Sequence, residues 1–142
     1  MTVPSHARAV IIGGGVVGCS IAYHLGKLGW RDVVLLERKQ LTCGTTWHAA
    51  GLIAQLRATQ NMTRLAKYSQ ELYFGLEAET GVATGFKRNG SITVALTDER
   101  MEELRRSAAM ARAFGVEIDE ISPSDIASRY PDLSVDDAVG GV

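Results

Sequence analysis

The chain has 142 residues, 46% of them hydrophobic, with 15 Lys and Arg against 16 Asp and Glu for a formal net charge of −1. The basic residues are dispersed, so there is no basic stripe for nucleic acid, and no apolar run approaches the roughly 20 residues needed to span a bilayer. The two cysteines, Cys19 and Cys43, have neither metal-ligand spacing nor the dense, even pattern of a secreted disulfide scaffold, so both are read as reduced thiols and no metal site is expected.

The opening segment Met1 to Arg8 is too short and too polar for a signal peptide and runs straight into an apolar strand, Ala9-Val10-Ile11-Ile12. A cytoplasmic location in a bacterium is the simplest reading, with the mitochondrial matrix as the eukaryotic equivalent. The strand is followed by Gly13-Gly14-Gly15-Val16-Val17-Gly18, in which Gly13, Gly15 and Gly18 match a dinucleotide fingerprint. Each of the three meets a different steric demand: Gly13 allows the tight turn, Gly15 lets a pyrophosphate approach the backbone, and Gly18 lets helix and strand pack closely. Residues from about Val16 to Leu28 read as a helix whose first N–H groups face that pyrophosphate. His24, within this helix, is read as a packing or surface residue.

A second strand, Val33-Val34-Leu35-Leu36, ends in Glu37, 19 residues beyond Gly18. An acid at about 20 residues suits a ribose, because a carboxylate accepts hydrogen bonds from the hydroxyls and repels a 2′-phosphate. FAD or NAD is therefore favoured over NADP, although Arg38 is of the type that can accommodate that phosphate. A glycine-rich turn in an unrelated α/β protein is the bland alternative.

Next comes Gly44-Thr45-Thr46-Trp47-His48-Ala49-Ala50-Gly51-Leu52. Together with the fingerprint and the strand end Leu35-Leu36-Glu37-Arg38, this segment resembles the N-terminus of the D-amino-acid-oxidase superfamily of flavoproteins, most closely the dimethylglycine and sarcosine dehydrogenase branch. Cys43 stands where a small residue such as serine is expected. The resemblance implies that His48 holds FAD covalently through the 8α-methyl group of the isoalloxazine, with Thr45 and Thr46 among the cofactor-binding residues. Attachment of this kind is expected to raise the flavin potential and prevent cofactor loss. Without the motif, His48 would be read as a polar loop residue. Trp47 is expected to pack against the nucleotide domain.

Beyond the motif, Asn61 to about Thr80 reads as a helix with Leu65, Tyr68, Leu72 and Leu76 on one face and Gly81 as its stop. Phe86-Lys87-Arg88 and Ser91-Ile92-Thr93-Val94 flank Asn89-Gly90, a strong hairpin signal. Asp98 to Phe114 reads as an amphipathic helix with Met101, Leu104, Ala108 and Ala111 inward and Gly115 after it. Ser122-Pro123-Ser124-Asp125 starts a short helix that Pro131 ends. The acids at Asp98, Glu99, Glu102 and Glu103 fit a solvated helix face, and Tyr68, Tyr73 and Tyr130 have no spacing for a proton relay. Ala138 to Val142 reads as an interrupted strand or turn.

The expected architecture is α/β: the N-terminal part of a Rossmann-like FAD-binding domain over residues 1–81, then the start of an α+β substrate domain over residues 82–142. A mononucleotide-binding half needs three parallel strands, and two are visible. The chain is accordingly read as part of a longer protein, with sheet edges and apolar faces left uncovered. The resemblance implies FAD-dependent oxidation of dimethylglycine or sarcosine, with hydride passing to flavin N5 and the iminium hydrolysed or captured by tetrahydrofolate. The implied partners are a small-molecule amine and an unspecified electron acceptor, with no nucleic acid and no membrane. Catalytic acid–base groups are expected outside these residues. A non-catalytic regulatory flavoprotein and an NAD-dependent dehydrogenase stay open as alternatives.

Overall fold

The structure is a computed structural model that describes residues 4–142. The chain divides into two compact units, Met1–Leu52 and Ile53–Val142, and each contains one two-stranded sheet.

In the first unit, β1 (Ala9–Ile12) and β2 (Val33–Leu36) are rich in β-branched residues that suit a pleated surface. They pair in parallel, in register from Ala9 against Val33 to Ile12 against Leu36. Parallel neighbours require a crossover, and α1 (Val16–Lys27) supplies it. Helix α1 stops at Leu28, beyond which Gly29 takes the left-handed conformation, φ 82°, that a side chain would resist. The strand starts are tied together as well. Asp32 accepts hydrogen bonds from the Arg8 N–H through both its backbone and side-chain oxygens, each at 3.0 Å, and the Arg8 guanidinium lies 3.8 Å above the Trp30 ring.

In the second unit, α2 (Gln60–Thr80) begins at Thr59, whose side chain accepts from the Met62 N–H, and ends at Gly81 in the left-handed conformation, φ 72°. Thr63 is wholly buried, and its hydroxyl both accepts from the Arg57 N–H and donates to the Arg57 carbonyl, which fixes the approach to the helix. The apolar stripe expected on α2 is only half covered. Leu72 and Leu76 are half-buried, whereas Leu65 and Tyr68 are exposed.

The core of this unit forms around α3 (Asp98–Ala113), capped by the Thr97 side chain. Met101, Leu104, Ala108 and Ala111 are all buried on one face, as their spacing predicts. Met101 and Leu104 cluster with Ala95 from β3 (Val94–Ala95), and Val142 packs against the group. The short helix α4 (Pro123–Arg129) carries a complete capping box between Ser122 and Asp125 and buries Ile126.

The Asn89-Gly90 hairpin does not form. The strand Val94–Ala95 pairs antiparallel with β4 (Gly140–Gly141), and Thr93 and Val142 exchange hydrogen bonds of 2.9 and 3.0 Å between their N–H and carbonyl groups. The expected partner segment is engaged by α2 instead: Phe86 lies 6.4 Å from the Tyr73 ring, and the Arg88 guanidinium lies 4.9 Å from the Phe74 ring. A Cβ on Gly141 would stand 2.6 Å from the Thr93 carbonyl oxygen, so the terminal glycines are what permit this close strand approach.

Candidate functional site

The site is built where β1 runs into α1. Gly13 adopts φ 101°, a conformation closed to most side chains, and its N–H donates to the Leu36 carbonyl at 2.8 Å. Gly18 is buried in the first turn of α1, where a Cβ would lie 1.9 Å from the Gly13 carbonyl oxygen. Around Gly15 only the Thr46 hydroxyl comes close, 3.0 Å from where a Cβ would be. The N-cap Gly15 has no side chain to cap the helix, and the N–H groups of Gly15, Val17 and Gly18 have no acceptor within the described chain. Together with the partial positive charge of the helix start, these amides form an anion cradle. A diphosphate fits this arrangement of open glycine surface and free N–H groups.

Glu37 stands at the end of β2 against the same turn. One carboxylate oxygen accepts from the Gly14 N–H at 2.8 Å and the other from the Lys39 N–H at 2.9 Å. The Gly14 hydrogen bond, followed by that from Lys39 and the nearby Arg38 charge, holds the carboxyl below the usual glutamate range. The group is thus an anion with lone pairs to spare for ribose hydroxyls. The Arg38 side chain is exposed, and its residue adds two smaller contributions in the same direction, first through its backbone N–H and then through its charge.

Gly14, between the two glycines that the fingerprint requires, also belongs to the site. It is buried, its N–H binds Glu37, and a Cβ there would meet Leu41 Cδ2 at 2.5 Å and Glu37 Cβ at 3.2 Å. Three consecutive glycines were the available signal, since the fingerprint needs only the first and third.

Thr45 to His48 form a 3-10 turn preceded by Gly44. Thr46 points back to the helix, accepting a hydrogen bond from the Val16 N–H at 2.9 Å. Thr45 and His48 are exposed. The expected packing of Trp47 does not occur: it is 69% exposed, with its ring 4.5 Å from the His48 ring. Consecutive aromatic rings on so short a turn meet each other before they can reach the sheet. Gly13, Gly14, Gly15, Gly18, Glu37 and Thr46 therefore converge on one turn, and His48 stands at the end of the segment that Thr46 anchors. His24 is settled by local bonding, its Nδ1 2.7 Å from the Ser20 carbonyl. Among the described residues no helix is long and apolar enough to cross a membrane.

A parallel strand–glycine turn–helix–strand unit with a terminal carboxylate defines a dinucleotide-binding α/β protein. The chain belongs to the FAD-dependent oxidoreductase (DAO) family, which matches residues 8–142. It is 42% identical over its full length to the mitochondrial pyruvate dehydrogenase phosphatase regulatory subunit of Mus musculus, covering 16% of that protein. It is 44% identical over 96% of its length to the mitochondrial sarcosine dehydrogenase of Mus musculus, covering 15% of it. Among solved structures, L-proline dehydrogenase from P. horikoshii superposes with a TM-score of 0.88 at 28% identity, over 98% of this chain and 36% of that one. The chain thus spans about 15% of the length of the curated relatives it matches, and the family's cofactor displaces the NAD-dependent alternative.

Proposed function

We propose that this chain supplies the FAD-binding start of an amine oxidoreductase acting on N-methylated glycine derivatives, sarcosine or dimethylglycine, with the flavin attached to His48. The observation that carries the reading is the anchoring of the His48 turn to the cofactor cradle through Thr46 and Val16, joined to the 44% identity with a sarcosine dehydrogenase. In this reading Gly13, Gly15, Gly18 and the free amides of α1 hold the pyrophosphate, Glu37 takes the ribose with Arg38 beside it, and Thr45 and Thr46 line the approach to the ring. FAD supplies the redox chemistry, acceptance of hydride from the carbon beside the amine nitrogen. The protein's part is to bind and orient it. His48 would hold the flavin through its 8α-methyl carbon, and an external electron acceptor would take up the electrons that attachment and turnover release. The iminium product is open to hydrolysis or to capture by tetrahydrofolate. Residues 1–81 form the nucleotide portion and residues 82–142 begin the substrate portion. The location is the bacterial cytoplasm, or the mitochondrial matrix in a eukaryote.

Acid precipitation of the holoprotein tests the attachment: flavin should stay in the pellet for wild type and wash out for His48→Ala. Release from the wild type defeats the covalent assignment. Bleaching of the flavin absorbance on adding sarcosine or dimethylglycine tests the substrate class. The 42% identity to a regulatory subunit favours a second reading, a flavoprotein that binds its cofactor without turnover. Yellow protein that neither amine bleaches would select it.

A further inference from the structure

The loop that carries the His48 turn is fastened to the glycine turn at two points. The Thr42 N–H donates to the Gly14 carbonyl at 2.8 Å. To do so Thr42 holds φ 65°, the only positive φ outside glycine among the described residues and an outlying conformation for a β-branched side chain. Four residues later, the Thr46 hydroxyl accepts from the Val16 N–H at 2.9 Å. Val16 is the first residue of α1, so its N–H is one of the donors that a helix cannot satisfy internally. An N-cap side chain ordinarily serves the second or third N–H of a helix, Gly15 has no such side chain, and the first N–H, that of Val16, needs an acceptor from elsewhere. Thr46 provides that acceptor from 30 residues away in sequence. A single 3-10 turn then joins it to His48, closed by the Ala49 N–H donating to the Thr46 carbonyl at 3.2 Å.

We propose that Thr46 is a positioning residue whose hydroxyl, by capping α1 at Val16, locks the His48 turn to the phosphate-binding amides so that histidine and cradle move as one body. The proposal rests on the reading of His48 as the flavin-linked residue, and goes beyond any direct contact of Thr46 with the cofactor. Gly15 belongs to the same device, since its missing Cβ keeps the Thr46 oxygen within reach of Val16.

Two measurements on the intact protein test it, using Thr46→Val, which keeps the shape and loses the acceptor, and Thr46→Ser, which restores the acceptor. The first is amide hydrogen exchange in the apoprotein, read at Val16 and across residues 44–51. Thr46→Val should exchange there about tenfold faster, as expected when an opening no longer has to break a hydrogen bond, and Thr46→Ser should match wild type. The second is the rate of covalent flavin incorporation when apoprotein is given FAD, expressed relative to total bound flavin. It should fall at least about tenfold in Thr46→Val, within the roughly hundredfold that a 1 Å misplacement of a reacting group can cost, with recovery in Thr46→Ser. Unchanged exchange in Thr46→Val overturns the cap, whatever the chemistry of His48. Lost protection with an unchanged covalent rate overturns the link from cap to histidine. Wild-type flavin that washes out in acid defeats the covalent reading of His48 instead. The link is then judged by FAD dissociation, which should be faster in Thr46→Val and normal in Thr46→Ser, and equal rates in all three proteins overturn it.

Discussion

Gly18 has the least freedom of any residue in the glycine turn, because an added Cβ would fall 1.9 Å from the carbonyl oxygen of Gly13, a backbone atom that cannot rotate away. Gly18→Ala should therefore force β1 and α1 apart, costing about 3 kcal/mol of stability as overpacking does, and lower FAD occupancy. A urea midpoint and the flavin-to-protein absorbance ratio check both effects. Glu37 yields a prediction about pH. Its carboxyl lies below the usual glutamate range in the folded chain, chiefly through the Gly14 N–H. A depressed carboxyl contributes stability at pH values above its unfolded pKa, and that contribution disappears as the pH falls through the folded one. Glu37→Gln should flatten the acid limb of the melting temperature against pH while leaving the alkaline side parallel to wild type. An unchanged acid limb would mean that the Gly14 contact does not differ in strength between the two protonation states.

Among the elements, α4 shows most directly how local chemistry makes structure. Seven residues are too few for a helix to persist alone, and its start is secured by reciprocal bonds. The Asp125 N–H donates to the Ser122 hydroxyl oxygen, the Ser122 N–H donates to the Asp125 carboxylate, and Pro123 is already set for the first turn. The Ser122 hydroxyl, then its N–H, holds the Asp125 carboxyl below the usual aspartate range. Ser122→Ala should cost about 1 kcal/mol, read as a lower urea midpoint with an unchanged slope. α3 was legible from spacing because its four inward residues follow the helical period and face one core. The face of α2 was legible only in part: the same periodicity names Leu65 and Tyr68, and these lie exposed. Periodicity identifies which residues share a stripe, but burial depends on whether another element lies against it.

On the scale of the whole molecule, the most prominent feature is apolar surface left in water. Ile12 is 88% exposed and Leu52 is 86% exposed, and among the described residues the sheet of the first unit has two strands, each with a free edge. Surfaces of this kind seek cover. The 142-residue chain on its own should bind a hydrophobic dye and self-associate, as read by dye fluorescence and sedimentation velocity. A monomer that ignores the dye would show that these faces are covered in solution. The sequence by itself determined the strand–glycine turn–helix–strand order, the placing of Glu37 at the strand end and the inward face of α3, because each depends on neighbours within a few turns of chain. The Asn89-Gly90 signal was equally local and failed, since Thr93 to Ala95 can satisfy their backbone groups with any strand that approaches, and the Gly140–Gly141 segment does so while the side chains of Phe86 and Arg88 lie against rings of α2. Tertiary structure alone decided that pairing, the exposure of Trp47 and the fastening of Thr46 to Val16, because each is a contest between partners far apart in sequence, and hydrogen-bond geometry in the folded chain picks the winner.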